Sequence, residues 1–148
     1  MREPVRYFTD DYLSYLLARA STLVSEQFHA RVSAAGLRIP EWRVLATLYD
    51  REAMTIGHLA EITLLTQPTL TRVVARLEDC GLVLRRNEPE DRRITRVSIT
   101  PAGRDKVQPL IERAKAHEAQ VLSGYPEAEV ETLKAGLREM IARLREGQ

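Results

Sequence analysis

The sequence predicts a mainly helical (α+β) chain in which one short hairpin interrupts a series of helices, and three observations carry that prediction. Apolar residues recur at spacings of three and four through most of the 148 positions, the period of helices with one buried face. Residues that start and stop helices fall between those stripes: Thr55, Thr66 and Thr100-Pro101 at starts, Gly36, Gly81 and Gly124 at ends. Only positions 82–99 show β-branched strand character on both sides of a polar centre.

Each element can be justified in turn. From Asp10 to about Ala34, Leu13, Leu16, Leu17, Ala20, Leu23, Val24, Phe28 and Val32 form one apolar stripe of a long helix ending near Gly36. Pro40 suits a first helical turn, and Trp42, Val44, Leu45 and Leu48 continue a second helix to about Tyr49. Thr55 can cap a short helix through Ile62. Thr66 can cap a longer one, with Pro68 in its first turn and Gly81 after its end. Leu82 to Arg86 and Thr95 to Ile99 read as strands joined by the exposed tip Asn-Glu-Pro-Glu-Asp-Arg-Arg. Thr100-Pro101 opens a helix carrying Val107, Leu110, Ile111 and Ala114, which Gly124-Tyr125-Pro126 interrupts. Val130, Leu133, Leu137, Met140, Ile141 and Leu144 mark the last helix. Two short helices, a longer helix and a charged hairpin make a winged helix-turn-helix over 37–100. The flanking segments, 1–36 and 101–148, hold long helices with more apolar surface than so small a module can cover, so a helical dimerisation domain and a second copy of the chain are expected.

Composition narrows the function. With 44% hydrophobic and 29% charged residues the chain falls in the range of ordinary soluble domains, and no run of eighteen apolar residues is present. The N-terminus carries acidic residues where a signal peptide would need an apolar centre, so a cytoplasmic protein without membrane attachment is expected. Net charge is only +1, yet it is unevenly placed: residues 66–106 hold nine basic and six acidic residues, and eight of the nine are Arg. The termini are slightly acidic. No G-x-S-x-G, phosphate-binding glycine loop or H-E-x-x-H occurs, so no catalytic residues, enzyme activity or cofactor are expected. His29, His58 and His117 lie on separate predicted helices without partners at ligand spacing, so no metal site is expected. Cys80 reads as a small core residue, with an oxidisable thiol as the alternative.

The helix after Thr66 has two faces. Leu70, Leu77 and either Val73 or Val74 give an apolar back, while Gln67, Thr69, Arg72 and Arg76 give a polar front. That is the division needed to hold a helix rigid while its front reaches base edges: arginine can pair with guanine, glutamine with adenine, and threonine methyls can touch thymine. At the hairpin tip Asp91 can brace one arginine by a charge-assisted hydrogen bond and leave another for the minor groove. Arg85, Arg86 and Arg96 on the strands can meet phosphates.

The run Leu77-x-x-x-Gly81-Leu82-Val83-x-Arg85, then Pro89-x-Asp91-x-Arg93, then Val97-x-Ile99-Thr100-x-x-Gly103 closely resembles the multiple antibiotic resistance regulator (MarR) family of bacterial transcription factors. Ile99 stands where the family usually has leucine. The resemblance extends over the whole chain, including Trp42-Arg43-Val44-Leu45 in the second helix. It implies an obligate homodimer on a pseudopalindromic double-stranded operator. Thr66, Gln67, Pro68, Thr69, Thr71, Arg72 and Arg76 would form the major-groove helix, and Arg92 and Arg93 the minor-groove wing, with Asp91 as brace and Arg86 on the flanking strand. It also implies a repressor released by a small effector, often an aromatic or phenolic acid. By residue type and position Trp42, Tyr15, Arg19 and Arg43 are the candidate contacts, with core packing the alternative for Trp42 and Arg38 the alternative for the charge. A winged helix that binds protein, or a regulator with no effector, is the alternative.

Overall fold

The computed structural model describes residues 7–148. Its elements are α1 (Phe8–Asp11), α2 (Leu13–Ala34), α3 (Ile39–Leu48), β1 (Met54–Thr55), α4 (Ile56–Thr63), α5 (Gln67–Asp79), β2 (Val83–Asn87), β3 (Thr95–Ile99), α6 (Pro101–Val121) and α7 (Glu127–Glu146). The sheet is antiparallel in the order β1-β3-β2, with Met54 opposite Val97 and Val83 opposite Ile99. Two compact units result, the first ending at Ala114 and the second running from Lys115 to Gln148.

The core lies in the first unit. Leu45, Leu48, Leu59, Leu70, Leu77, Val44, Val74, Val83 and Val97 are fully enclosed, joined by Phe28 and Val32 from α2 and by Val107 and Leu110 from α6. The neighbouring ends of α2 and α6 thus complete the core of the three-stranded module within one protomer. On α5 Val74 is the enclosed valine and Val73 packs at the edge.

Three features differ from the sequence expectation. The first helix breaks at Tyr12, which is extended (φ −88°, ψ 116°). Asp10 accepts the Tyr7 N–H at 3.4 Å to close α1, and the Tyr12 ring lies 4.8 Å from Phe8 and 5.8 Å from Tyr15. Second, β1 is a strand of two residues, too short to leave a pattern and defined only by pairing with β3. Third, Cys80 is exposed as the C-cap residue, one position past the end of α5, and is not a core residue.

Local chemistry sets the helix boundaries. Thr55 Oγ1 accepts from the His58 N–H at 3.3 Å, and Thr66 Oγ1 from the Thr69 N–H at 3.4 Å, each satisfying an otherwise unpaired amide of a first turn. Gly81 ends α5 at φ 73°, where a side chain would be strained. Leu64 adopts φ 60° after α4, a conformation costing an L-residue about 1–2 kcal/mol. Thr100 ties the hairpin to α6: its Oγ1 donates to Gly81 O at 2.7 Å and accepts the Gly103 N–H at 3.0 Å.

Much of the apolar surface of α2 and α7 is uncovered. Leu13, Leu16, Leu17, Leu23 and Val24 on α2 are exposed, as are Leu133, Ile141 and Leu144 on α7. No described helix is long and apolar enough to cross a membrane.

Candidate nucleic-acid interface

Helix α5 presents the two faces its sequence predicts. Leu70, Val74 and Leu77 are buried against the core, while Thr66, Gln67, Pro68, Thr71, Arg72 and Arg76 are exposed and Thr69 is half-buried. The threonine hydroxyls are already oriented: Thr66 Oγ1 donates to Thr69 Oγ1 at 3.0 Å, and Thr71 Oγ1 donates to Gln67 O at 2.9 Å. Their methyl groups and remaining lone pairs are what a ligand would meet. Between the start of α5 and the hairpin lies a cleft of about 460 Å³ lined by Thr55, Gly57, Gln67, Thr71, Arg85 and Arg93, among others. One surface thus joins the helix to the wing.

At the tip, Asp91 grips Arg93 as a fork. Arg93 Nε donates to Oδ1 at 3.0 Å and Nη2 to Oδ2 at 3.1 Å, while the Arg93 N–H donates to Oδ1 at 3.1 Å. The arginine side chain is nevertheless 91% exposed, so it is oriented without being covered. Arg92 has no side-chain partner among the described residues. Asp91 therefore chooses Arg93 over its neighbour.

Ion pairs also hold several of the other arginines of this face. Arg85 is held by Glu78, whose carboxylate accepts the Arg85 N–H at 2.7 Å and its guanidinium at 3.0 and 3.1 Å. Arg96 is held by Glu88 across the hairpin. Glu88 thereby neutralises a cation standing directly opposite Arg86 in the β2–β3 register, where two like charges would repel. Arg76 pairs with Glu41 at 3.3 Å. Of the strand arginines expected at phosphates, only Arg86 is left without a partner among the described residues. On α5, Arg72 stands in the same position. Sequence reasoning missed Glu41, Glu78 and Glu88; for Glu78 and Glu88 the signal was an acid seven or eight positions before an arginine across a turn.

The forks have a pH signature. The Arg93 guanidinium, and then its N–H, hold the Asp91 carboxyl below its ordinary range. The Arg85 N–H, and then its guanidinium, do the same for Glu78. Since both pKa values are depressed by folding, their contribution is complete above the usual carboxylate range and is lost as pH falls through the lowered values. We expect the Arg93 Nε–H and Arg85 amide resonances to hold through the ordinary carboxylate range and to change only as pH falls below it. A midpoint at or above the ordinary carboxylate value would contradict these forks.

The residues proposed for a small ligand are not gathered within one protomer. Trp42 packs on Phe28 at 5.4 Å, Arg19 pairs with Asp10 at 3.9 Å, Tyr15 lies against Tyr12, and Arg43 is exposed on α3. Arg19 is nine residues from Phe28 on α2, about 14 Å along the helix at ~1.5 Å per residue. No group of three or more metal-ligating side chains occurs among the described residues.

A model of the MarR family matches residues 37–95, from the start of α3 into the wing. The chain is similar to the HTH-type transcriptional repressor IacR of Pseudomonas putida, 28% identical over 124 residues that cover 84% of this chain and 74% of IacR. It is similar to the solved structure of the MarR family transcriptional regulator SPO1453 from Silicibacter pomeroyi DSS-3. That pair has 40% identity and a TM-score of 0.81, covering 94% of this chain and 99% of the other. NadR, solved in complex with 4-hydroxyphenylacetate, shares the fold at 21% identity and a TM-score of 0.81, with 95% of this chain and 97% of NadR covered. Proteins of this kind regulate transcription and are not enzymes. With 40% identity to SPO1453 over nearly the full length of both chains, and the family's winged helix-turn-helix built around α5, the protein belongs to the MarR family of transcriptional regulators.

Proposed function

We propose that the protein is a homodimeric repressor that reads a pseudopalindromic DNA operator with α5 and is released from it by a small aromatic acid. The observation that carries the DNA reading is the division of α5 into a buried back, Leu70, Val74 and Leu77, and an exposed front from Thr66 to Arg76. The front adjoins the cleft that ends at the Asp91–Arg93 fork. In this reading residues 37–100 bind DNA, with Thr66, Gln67, Pro68, Thr69, Thr71 and Arg72 in the major groove and Arg92, Arg93 and Arg86 on the wing side. Segments 1–36 and 101–148 dimerise, which accounts for the uncovered Leu13, Leu16, Leu17 and Leu23 on α2 and Leu133, Ile141 and Leu144 on α7. Two copies would then present their α5 helices to half-sites about one helical turn, ~34 Å, apart. We further infer that the protein works in the cytoplasm, where its operators would lie.

Repression follows the relative IacR, which is named a repressor. The effector class follows the family resemblance, and the fold houses 4-hydroxyphenylacetate in NadR. Trp42 and Arg43, adjacent on α3, and Tyr15 and Arg19 on α2 are the contacts we assign to it. An effector can weaken DNA binding only through a higher affinity for the spacing of α5 helices that does not fit the operator.

The test is to sequence the DNA that the full-length protein selects from a genomic pool, then to titrate the selected duplex against salt. A duplex binder with about six to ten phosphate contacts loses roughly 10³-fold or more in affinity between ~50 and ~200 mM salt. Selection of no common sequence, or salt-indifferent binding, would refute the DNA reading and favour a protein-binding winged helix. Adding aromatic acids to the complex then tests release separately.

A further inference from the structure

The front of α5 carries two arginines one turn apart, and the structure treats them differently. Arg72 is exposed and has no partner among the described residues. Arg76 lies against Glu41, a carboxylate on α3 that is only 6% exposed. Both oxygens of Glu41 are engaged: Oε2 accepts the Arg38 N–H at 3.0 Å, and Oε1 lies 3.3 Å from Arg76 Nε. The groove beside α5, about 310 Å³, is bordered by Glu41, Arg72 and Arg76 together, so the carboxylate sits within the charge pattern of the reading face. A hollow on the other side, about 400 Å³, brings Arg38 and Lys106 toward the same pair. Arg76 nonetheless supplies the guanidinium in contact with Glu41.

We propose that Glu41 is a positioning residue that withdraws Arg76 from phosphate binding and uses it to fix α5 against α3, leaving Arg72 as the arginine free to read DNA. A buried carboxylate is not given up easily: removing its cation would leave a charge with one backbone donor in a largely enclosed site. While the pair holds, phosphate approach to Arg76 meets a neutral ion pair, and little counterion is released there. The consequence is specificity, because a cation that would bind any duplex is silenced beside one that can pair with a base edge.

This inference rests on the DNA reading above, and the experiment separates the two. The probe is a random-sequence duplex of about 30 base pairs, titrated against salt with the full-length protein and its variants. Each phosphate neutralised adds about 0.9 to the slope of log affinity against log salt. Glu41→Gln keeps an oxygen for the Arg38 N–H but frees the arginine, so its slope should steepen by about one per protomer. Arg76→Gln should leave the slope as in the wild type, and the double variant should restore it. Thermal melting confirms that each variant is folded, and if Glu41→Gln is not, Arg76→Gln decides alone. A flatter slope for Arg76→Gln, or an unchanged slope for Glu41→Gln, overturns the proposal. A wild-type protein with no salt dependence would instead overturn the DNA reading itself.

Discussion

Replacing Gly103 with alanine is expected to cost about 3 kcal/mol of stability. An added Cβ would stand 2.1 Å from the Leu82 carbonyl oxygen and 2.7 Å from Ile99 Cγ1. The oxygen cannot simply swing aside, because Leu82 O accepts the Thr100 N–H at 3.0 Å. Thr100 is held in turn through its hydroxyl to Gly81 O and by the Gly103 N–H. Relieving the clash therefore means separating α6 from the base of the hairpin, along with the packing of Val83, Ile99 and Val107. For a chain of this size the loss corresponds to a fall in Tm of about 6–12 °C. Gly136 supplies the internal contrast, since nothing lies within 4 Å of a Cβ built there. Gly136→Ala, within α7, should gain about 0.5–1 kcal/mol from reduced chain entropy. Melting curves for the two variants that moved in the same direction would refute the steric account.

What could be read in the sequence was whatever is decided locally. Thr66 and Gly81 delimit α5 because a cap needs only its own first turn and a positive φ needs only a residue without Cβ. The Asp91–Arg93 fork was legible for the same reason, two residues apart within one turn. Glu41 and Arg76 are 35 positions apart and meet only because α3 packs beside α5, so no spacing announced them. β1 was hidden likewise, being a strand only by virtue of β3. The ligand candidates mark the opposite limit. Tyr15, Arg19, Trp42 and Arg43 were chosen by residue type, and type alone does not say that Trp42 prefers Phe28 while Arg19 turns to Asp10.

The distinction between the two arginines of α5 yields the second large effect. Arg72→Ala should weaken binding to the selected operator by about 5- to 150-fold, equivalent to about 1–3 kcal/mol, and should relax preference at one base position in each half-site. The cause is geometric: a side chain on the exposed front of a helix anchored by Leu70, Val74 and Leu77 is presented at a fixed height and angle, so its two-pronged donor can match one base edge. Arg93→Ala should behave differently, because the wing approaches the backbone and the minor groove, where the donor and acceptor pattern is degenerate. Affinity should fall there while the ranking of operators with altered major-groove bases stays the same. Asp91→Ala should reproduce part of the Arg93 loss without removing the cation, since a guanidinium released from its fork must be ordered again on binding. Binding measured across a panel of single-base operator variants separates these outcomes. If Arg72→Ala lowers affinity equally for every base variant, the residue meets a phosphate, and the sequence-reading role must pass to Gln67 and the threonines at the start of α5.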